Sequence, residues 1–351
     1  MLEWATALNR GSTLPADIII IGAGIAGLSS AYELAEKGAS VTVLDRGRAG
    51  MEASWAGGGI LFPLLPWDYP EEVTALAMRG AALYPDWTQE LLSSSGIDPE
   101  YVRCGMKVLE GCRTMENAAY WCAAHDVRFE RGPGGEWFFP DVAQVRNPRL
   151  IRALRASLES RGVRIVENCE VRSLAREGRR IVRLGTSDGT IWAARDFVVC
   201  AGAWSKMLLE PDLPGPDIFP VKGQMLLFEA ANMLDTILLK DDLYLVPRKD
   251  GHILAGSTLE HVGFDKSVTA ARMLHEKAAE ILPGLAAEKP VGQWAGLRPG
   301  SPGNIPTIAR HPDIDNLYLN SGHFRYGVTM APASAKRLAQ IVFGEPSNSV
   351  I

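Results

Sequence analysis

The hydrophobic pattern begins at Asp17, which precedes four isoleucines (18–21) and then Gly22-Ala-Gly24-Ile-Ala-Gly27. An unbroken apolar run of this kind predicts a strand buried on both faces. Residues 26–38 (AGLSSAYELAEKG) predict a helix with Gly38 as its stop. Residues 41–45 (VTVLD) predict a second strand, so the patterned chain opens with a βαβ unit. Within 52–60 (EASWAGGGI) three consecutive glycines suit either a flexible loop or backbone that approaches a ligand closely. The region 70–135 reads as largely helical and irregular, with breaks at Pro85, Gly96 and the Pro-Gly-Gly of 133–135. Residues 147–162 form an amphipathic helix with Leu150, Ile151, Leu154 and Leu158 on one face. Strands are expected at 163–167 and 181–184, and a further one within 196–204 (DFVVCAGAW). From 218 to 262 the pattern alternates in the β manner, with Asp250-Gly251 as a hairpin turn. A helix at 268–282, the run LYLNSG, a loop and a helix at 330–343 complete the chain.

A βαβ unit at one end, a strand-loop-helix at the other and a β-rich block between them predict a discontinuous nucleotide-binding domain with a substrate domain inserted into it. The length of 351 residues suffices for two domains. A formal net charge of -5, with Arg and Lys scattered, gives no footprint for nucleic acid. No apolar run is long enough to span a bilayer. Residues 1–15 do not have the form of a secretory signal and are expected to be an N-terminal extension. Five cysteines, at 104, 112, 122, 169 and 200, are odd in number and lack CxxC spacing. They predict a reduced, cytoplasmic protein with neither structural disulfides nor a metal site.

The glycine motif carries the first chemistry. Gly22 permits the turn after the strand, Gly24 lets the backbone approach a pyrophosphate, and Gly27 lets the helix pack close to the sheet. The helix N-terminus offers free N–H groups to phosphates. Asp45, at the end of the second strand, is placed to bond a ribose hydroxyl and to repel a 2′-phosphate, with Arg46 beside it weakening that repulsion. FAD and NAD share this device, and the motif alone does not choose between them.

Further segments carry a resemblance: SWAGGGI (54–60), VKGQM (221–225), LYLVPRKDGHILAGSTLE (243–260), WAGLRPGSPGNIPTIARHP (294–312) and GHFRYG (322–327). In this order they make the chain resemble the D-amino-acid oxidase superfamily, and within it the ThiO type of glycine oxidase, from about residue 16 to 345. The resemblance implies an α/β, two-domain fold: a Rossmann-like FAD-binding domain (16–65, 145–212 and 296–351) with an inserted antiparallel β-sheet substrate domain (66–144 and 213–295). It implies non-covalent FAD, held at Ile25, Ala26, Asp45 and Arg46 on the adenine and pyrophosphate side. Flavin-side contacts fall on Ala53, Ser54, Gly58, Gly59 and Ile60, and Val171 meets the adenine. The stretch His323, Phe324, Arg325, Tyr326, Gly327, Val328 and Thr329 closes on the flavin ring, where a helix N-terminus near Gly327 would meet developing negative charge.

For substrate, the resemblance points to Tyr244, Arg298 and Arg325, with Leu259 lining an apolar wall. A bidentate arginine suits a carboxylate. For Arg298 the residue-level alternative is a structural salt bridge, and for Tyr244 a half-buried strand tyrosine. The implied reaction is oxidative deamination of glycine and other small amines, such as sarcosine and small D-amino acids, to the keto acid, ammonia and hydrogen peroxide. Thiamine thiazole synthesis is a use for the glycine imine, and relatives are often homotetramers. Two positions depart from the family pattern. Tyr326 stands where Asn is frequent, and Asp242 stands where a relative carries His; both bear on substrate preference. The alternatives are a D-amino-acid or sarcosine oxidase, a dehydrogenase passing electrons to a carrier, a flavin-binding protein without turnover and an NAD-dependent dehydrogenase.

Overall fold

The computed structural model describes residues 16–346 except 113 and 211, so the expected extension at 1–15 lies outside the described residues. Along the chain come strand β1 (Ile18–Ile21), helix α1 (Ile25–Glu36), strand β2 (Val41–Leu44) and helix α2 (Glu71–Ser95). Two short strands, β3 (Met106–Val108) and β4 (Trp137–Phe139), lead to helix α3 (Asn147–Ser160). Strands β5 (Arg164–Val166), β6 (Val171–Glu177), β7 (Arg180–Thr186) and β8 (Asp196–Val199) follow. The β-rich block holds β9 (Phe219–Glu229), β10 (Ile237–Lys240), β11 (Leu243–Pro247) and β12 (His252–Gly256). Helix α4 (Ala271–Ile281), strands β13 (Pro290–Gly300), β14 (Thr307–Arg310) and β15 (Leu317–Ser321), and helix α5 (Gly327–Phe343) close the chain.

Six strands form one sheet in the order β14-β15-β8-β1-β2-β5. All its pairs are parallel except the antiparallel edge pair β14/β15. Every residue of β1 and β2 is buried, as a parallel strand covered on both faces requires. A second sheet of eight strands runs β13-β9-β12-β11-β10-β3-β4, with Glu130–Arg131 at its far edge. Its long pairing, β9 against β13, runs antiparallel from Phe228↔Pro290 to Phe219↔Gly300. The border expected at 296 therefore falls inside a strand. Gly251 (φ +84°) makes the expected turn between β11 and β12, closed by Arg248 N–H to His252 O at 2.8 Å.

Three expectations need correction. Pro85 does not break α2, which runs through it for 25 residues to Gly96 at φ +71°. Val73, Ala77, Tyr84, Trp87 and Leu91 recur at helical spacing and are all buried, and this burial outweighs the local cost of one proline. Residues 102–144 hold short strands rather than only helix and loop. Met106, Val108, Trp137 and Phe139 are buried in pieces too short to display alternation. Strands β6 and β13 also escape the pattern: β6 buries only Val171 and Leu174, and β13 is rich in Gly and Pro.

Candidate active site

The turn from β1 into α1 is built as the glycine spacing requires. Gly22 has φ +108°, and a Cβ there would stand 2.4 Å from Cys200 O. A Cβ on Gly27 would stand 1.8 Å from Gly22 O, so helix and turn touch through backbone. Ser54 Oγ accepts the N–H of Ile25 at 2.8 Å. Asp45 holds the same turn, accepting from the N–H of Ala23 at 2.7 Å and of Gly47 at 2.8 Å. Burial raises the Asp45 pKa, and these bonds oppose the rise. The Arg46 guanidinium lies 3.5 Å from the centre of the Trp204 ring and 3.1 Å from Glu52.

These groups face a cavity of about 420 Å³, within the usual range for ligand sites. It is lined by Gly22, Gly24, Ile25, Ala26, Asp45 and Arg46, by Ala53, Ser54, Gly58, Gly59 and Ile60, and by Val171. His323, Phe324, Arg325, Tyr326, Gly327, Val328 and Thr329 continue the wall, as do Tyr244 and Arg298. Residues more than 300 positions apart thus share one space. Gly27 is not on the wall, in keeping with its packing role. Leu259 is not on the wall either, and it is 42% exposed. Strand β12 stops at Gly256. Thr258 then turns inward, its hydroxyl accepting the Gln224 N–H at 3.0 Å, and Leu259 faces out.

Arg298 lines the cavity beside Tyr244 and Gly223. Its guanidinium donates to Thr258 O at 3.1 Å and to Ser257 Oγ at 2.5 Å, and burial pulls its pKa down. Among the described residues no carboxylate lies within ion-pair distance of it, so the structural salt bridge is not formed. Gly223, on β9 two residues from Arg298's register partner Val221, makes room for it: a Cβ there would stand 2.2 Å from the guanidinium. Tyr244 is buried, with its hydroxyl 3.6 Å from Met225 Sδ and its ring against Gly58. Arg325, by contrast, is paired with Asp242 at 2.7 Å. Tyr326 turns its hydroxyl to Leu64 O at 3.0 Å and its ring against Tyr69. Gly223, Met225 and Trp204 are site residues that sequence reasoning passed over. VKGQM and the end of DFVVCAGAW carried them in plain view, but only the fold shows what they face.

The donor set fits FAD. His323 is buried in the wall, its Nε2 has no partner among the described residues, and burial lowers its pKa to about 4, which keeps the ring neutral at pH 7. Asn320 Oδ1, on the same wall, is likewise without a partner among the described residues. Helix α5 begins at Gly327 with no side-chain cap, and its first turn lines the cavity. Phe324 takes φ +46°, an uncommon conformation for a residue with a side chain and one that clusters at functional sites.

Comparison with known proteins agrees. The chain matches the family model of the DAO FAD-dependent oxidoreductases over residues 17–341. It is 46% identical to the glycine oxidase of Pseudomonas aeruginosa, over 93% of this chain and 94% of that protein. It is 33% identical to the bifunctional protein ThiO/ThiG of Trichormus variabilis, over 95% of this chain and 54% of that protein. The crystal structure of glycine oxidase from Geobacillus kaustophilus matches with a TM-score of 0.87 at 26% identity, covering 96% of each chain. A glycine-rich turn into a helix, an arginine beside it with no carboxylate partner among the described residues, and above all these matches place the chain in the DAO family of FAD-dependent oxidoreductases.

Proposed function

We propose that this chain is an oxidase of small amino acids that takes glycine, with sarcosine and small D-amino acids as further substrates. Glycine, water and dioxygen give glyoxylate, ammonia and hydrogen peroxide. The observation that carries the reading is Arg298, a guanidinium in the cavity wall that no carboxylate of the described residues neutralises. A buried cation of this kind gains most from an anionic ligand, and a planar guanidinium can hold both oxygens of a carboxylate. The Tyr244 hydroxyl adds a donor to the same end. Arg325 is neutralised by Asp242, so one carboxylate per substrate is favoured.

Bound FAD supplies a hydride acceptor that dioxygen reoxidises. The remaining work belongs to the chain. Arg298 and Tyr244 fix the carboxylate, which orients the neighbouring carbon and its amine. Among the described residues no carboxylate lines the cavity around Tyr244, Arg298 and Arg325, and Asp242 is paired with Arg325, so the free base of the amine is the form favoured there. Neutral His323 and the uncapped start of α5 face the cavity as donors without adding a full charge.

The ThiO/ThiG relative supports a role in supplying the glycine imine for a thiazole. Among the described residues the cysteines at 104, 112, 122, 169 and 200 form no disulfide, which supports a reducing, cytoplasmic setting. Among the described residues no helix is long and apolar enough to cross a membrane. A homo-oligomer, tetrameric by family resemblance, is the assembly to test by light scattering. The deciding experiment is an anaerobic absorbance titration with glycine, sarcosine and D-alanine in turn. Glycine should bleach the oxidised flavin band, with peroxide formed on admitting air. Bleaching by D-alanine alone would overturn the glycine assignment, and bleaching without peroxide would make the protein a dehydrogenase.

A further inference from the structure

A cation outside the cavity faces the backbone that lines it. Arg248 follows the last residue of β11, on the way into the hairpin. It donates from one guanidinium nitrogen to Gly58 O at 2.8 Å. From the other it donates to Gln144 Oε1 at 2.6 Å and to Val145 O at 3.1 Å. Among the described residues no carboxylate lies within ion-pair distance of it, and burial brings its pKa down to about 10. A cation held by carbonyl oxygens alone, behind the three-glycine segment, calls for an explanation that the βαβ unit and the substrate end do not give.

The geometry of one peptide supplies it. The carbonyl of Gly58 and the N–H of Gly59 belong to the same planar trans unit and point in opposite directions. Fixing that carbonyl on Arg248 turns the Gly59 N–H away from Arg248. Gly58 and Gly59 line the cavity and Arg248 does not. The next carbonyl, Gly59 O, is fixed as well, accepting the Val145 N–H at 2.9 Å. Gly59 has φ +72°, and a Cβ there would stand 2.1 Å from Val145 O, so the residue is locked from both flanks. Among the described residues the Gly59 N–H has no acceptor. A positive charge on the carbonyl side also polarises the amide and makes that N–H a stronger donor.

We propose that Arg248 is a positioning residue: it clamps the Gly58–Gly59 peptide so that the Gly59 N–H is presented, polarised, to the cofactor's ring system. This rests on the reading of the cavity as a flavin site. Substrate never meets Arg248, so its effect runs through the cofactor.

The test compares Arg248→Met and Arg248→Gln with the wild-type holoenzyme. The readouts are FAD affinity, the absorbance band of the bound flavin, its midpoint potential, and kcat and KM for glycine. In Arg248→Met we expect FAD affinity to fall about ten-fold, the band to shift and the potential to become more negative. The loss in kcat should be about ten-fold or more, with KM changed less than about two-fold. Arg248→Gln, which keeps a donor without the charge, should fall between the two and decides the matter if the methionine variant does not fold. A folded variant with wild-type band, potential and affinity, and only a lower melting temperature, would overturn the proposal. The band and potential need no substrate. Wild-type protein that binds flavin but ignores glycine would therefore sink the glycine assignment and leave this proposal standing or falling on its own readouts.

Discussion

Replacing Arg298 by alanine removes the one guanidinium on the wall that has no carboxylate partner among the described residues. Glycine kcat/KM should fall by about 100-fold or more, since truncating one side of a buried charge-assisted pair costs about 2–5 kcal/mol. Steady-state kinetics check this, and a loss below about five-fold would remove Arg298 from the carboxylate site. Asp242→Asn acts in the opposite sense. It releases Arg325 from a 2.7 Å pair, so a dicarboxylic amine such as D-aspartate should gain several-fold in kcat/KM relative to glycine. His323 gives a pH signature. Its pKa is about 6.5 in the unfolded chain and about 4 when buried, so unfolding takes up a proton between those values. Stability should be full above about pH 6.5, decline as the pH falls to about 4, and lose no more from this group below that. Denaturant titrations across that window should show a shallower slope in His323→Gln. At this scale the sequence was informative where a residue type is costly to bury without a partner, as with Arg298. Leu259 came from the family resemblance alone, and it lies off the wall here because β12 has ended at Gly256 and nothing in the position itself says which way the chain turns next.

Between elements, the contact of α2 with α5 turns on a proline, a tyrosine and a glycine. Pro332 lies inside α5 and has no N–H, so the carbonyl of Val328, four residues earlier, lacks its helical donor. The Tyr84 hydroxyl, from α2, donates to that carbonyl at 2.5 Å. Beside it Gly80 brings the helices to backbone contact, a Cβ there standing 2.1 Å from Thr329 O. Tyr84→Phe leaves the Val328 carbonyl unsatisfied in a buried interface and should cost about 1–3 kcal/mol. Equilibrium urea unfolding measures it, and a loss under about 0.5 kcal/mol would show that water or another donor takes the place of Tyr84. Helices α1 and α3 were legible because their apolar stripes are regular. The full course of α2 was not, because Pro85 is a local signal against helix and the burial that overrides it depends on α5, more than 200 residues away.

At the level of the whole molecule, the two sheets could be anticipated in kind but not in extent. The parallel sheet announces itself in runs such as the four isoleucines of β1. The antiparallel sheet is visible from 218 to 262 and then recruits strands that look like loop: β13, with its Gly and Pro, and the short β3 and β4. Register, not composition, brings them in, and register is set by the partner strand. The site was legible because each segment of the wall carries unusual residues for its backbone. Their convergence was not, since nothing local says that Gly58, Tyr244 and Gly327 share a space.

That convergence has a thermodynamic consequence. The cavity is walled by residues from Ile21 to Thr329, drawn from both sheets and from the helices against them. A ligand that fills it is linked to the folding equilibrium of the entire chain, adding about 4 kcal/mol when its free concentration is 1,000 times its dissociation constant. Flavin here is in effect a late-arriving piece of the interior. Protein made in flavin-starved cells should melt lower and be cleared faster than the same sequence made in flavin-replete ones, so supply of the vitamin sets how much of the enzyme persists.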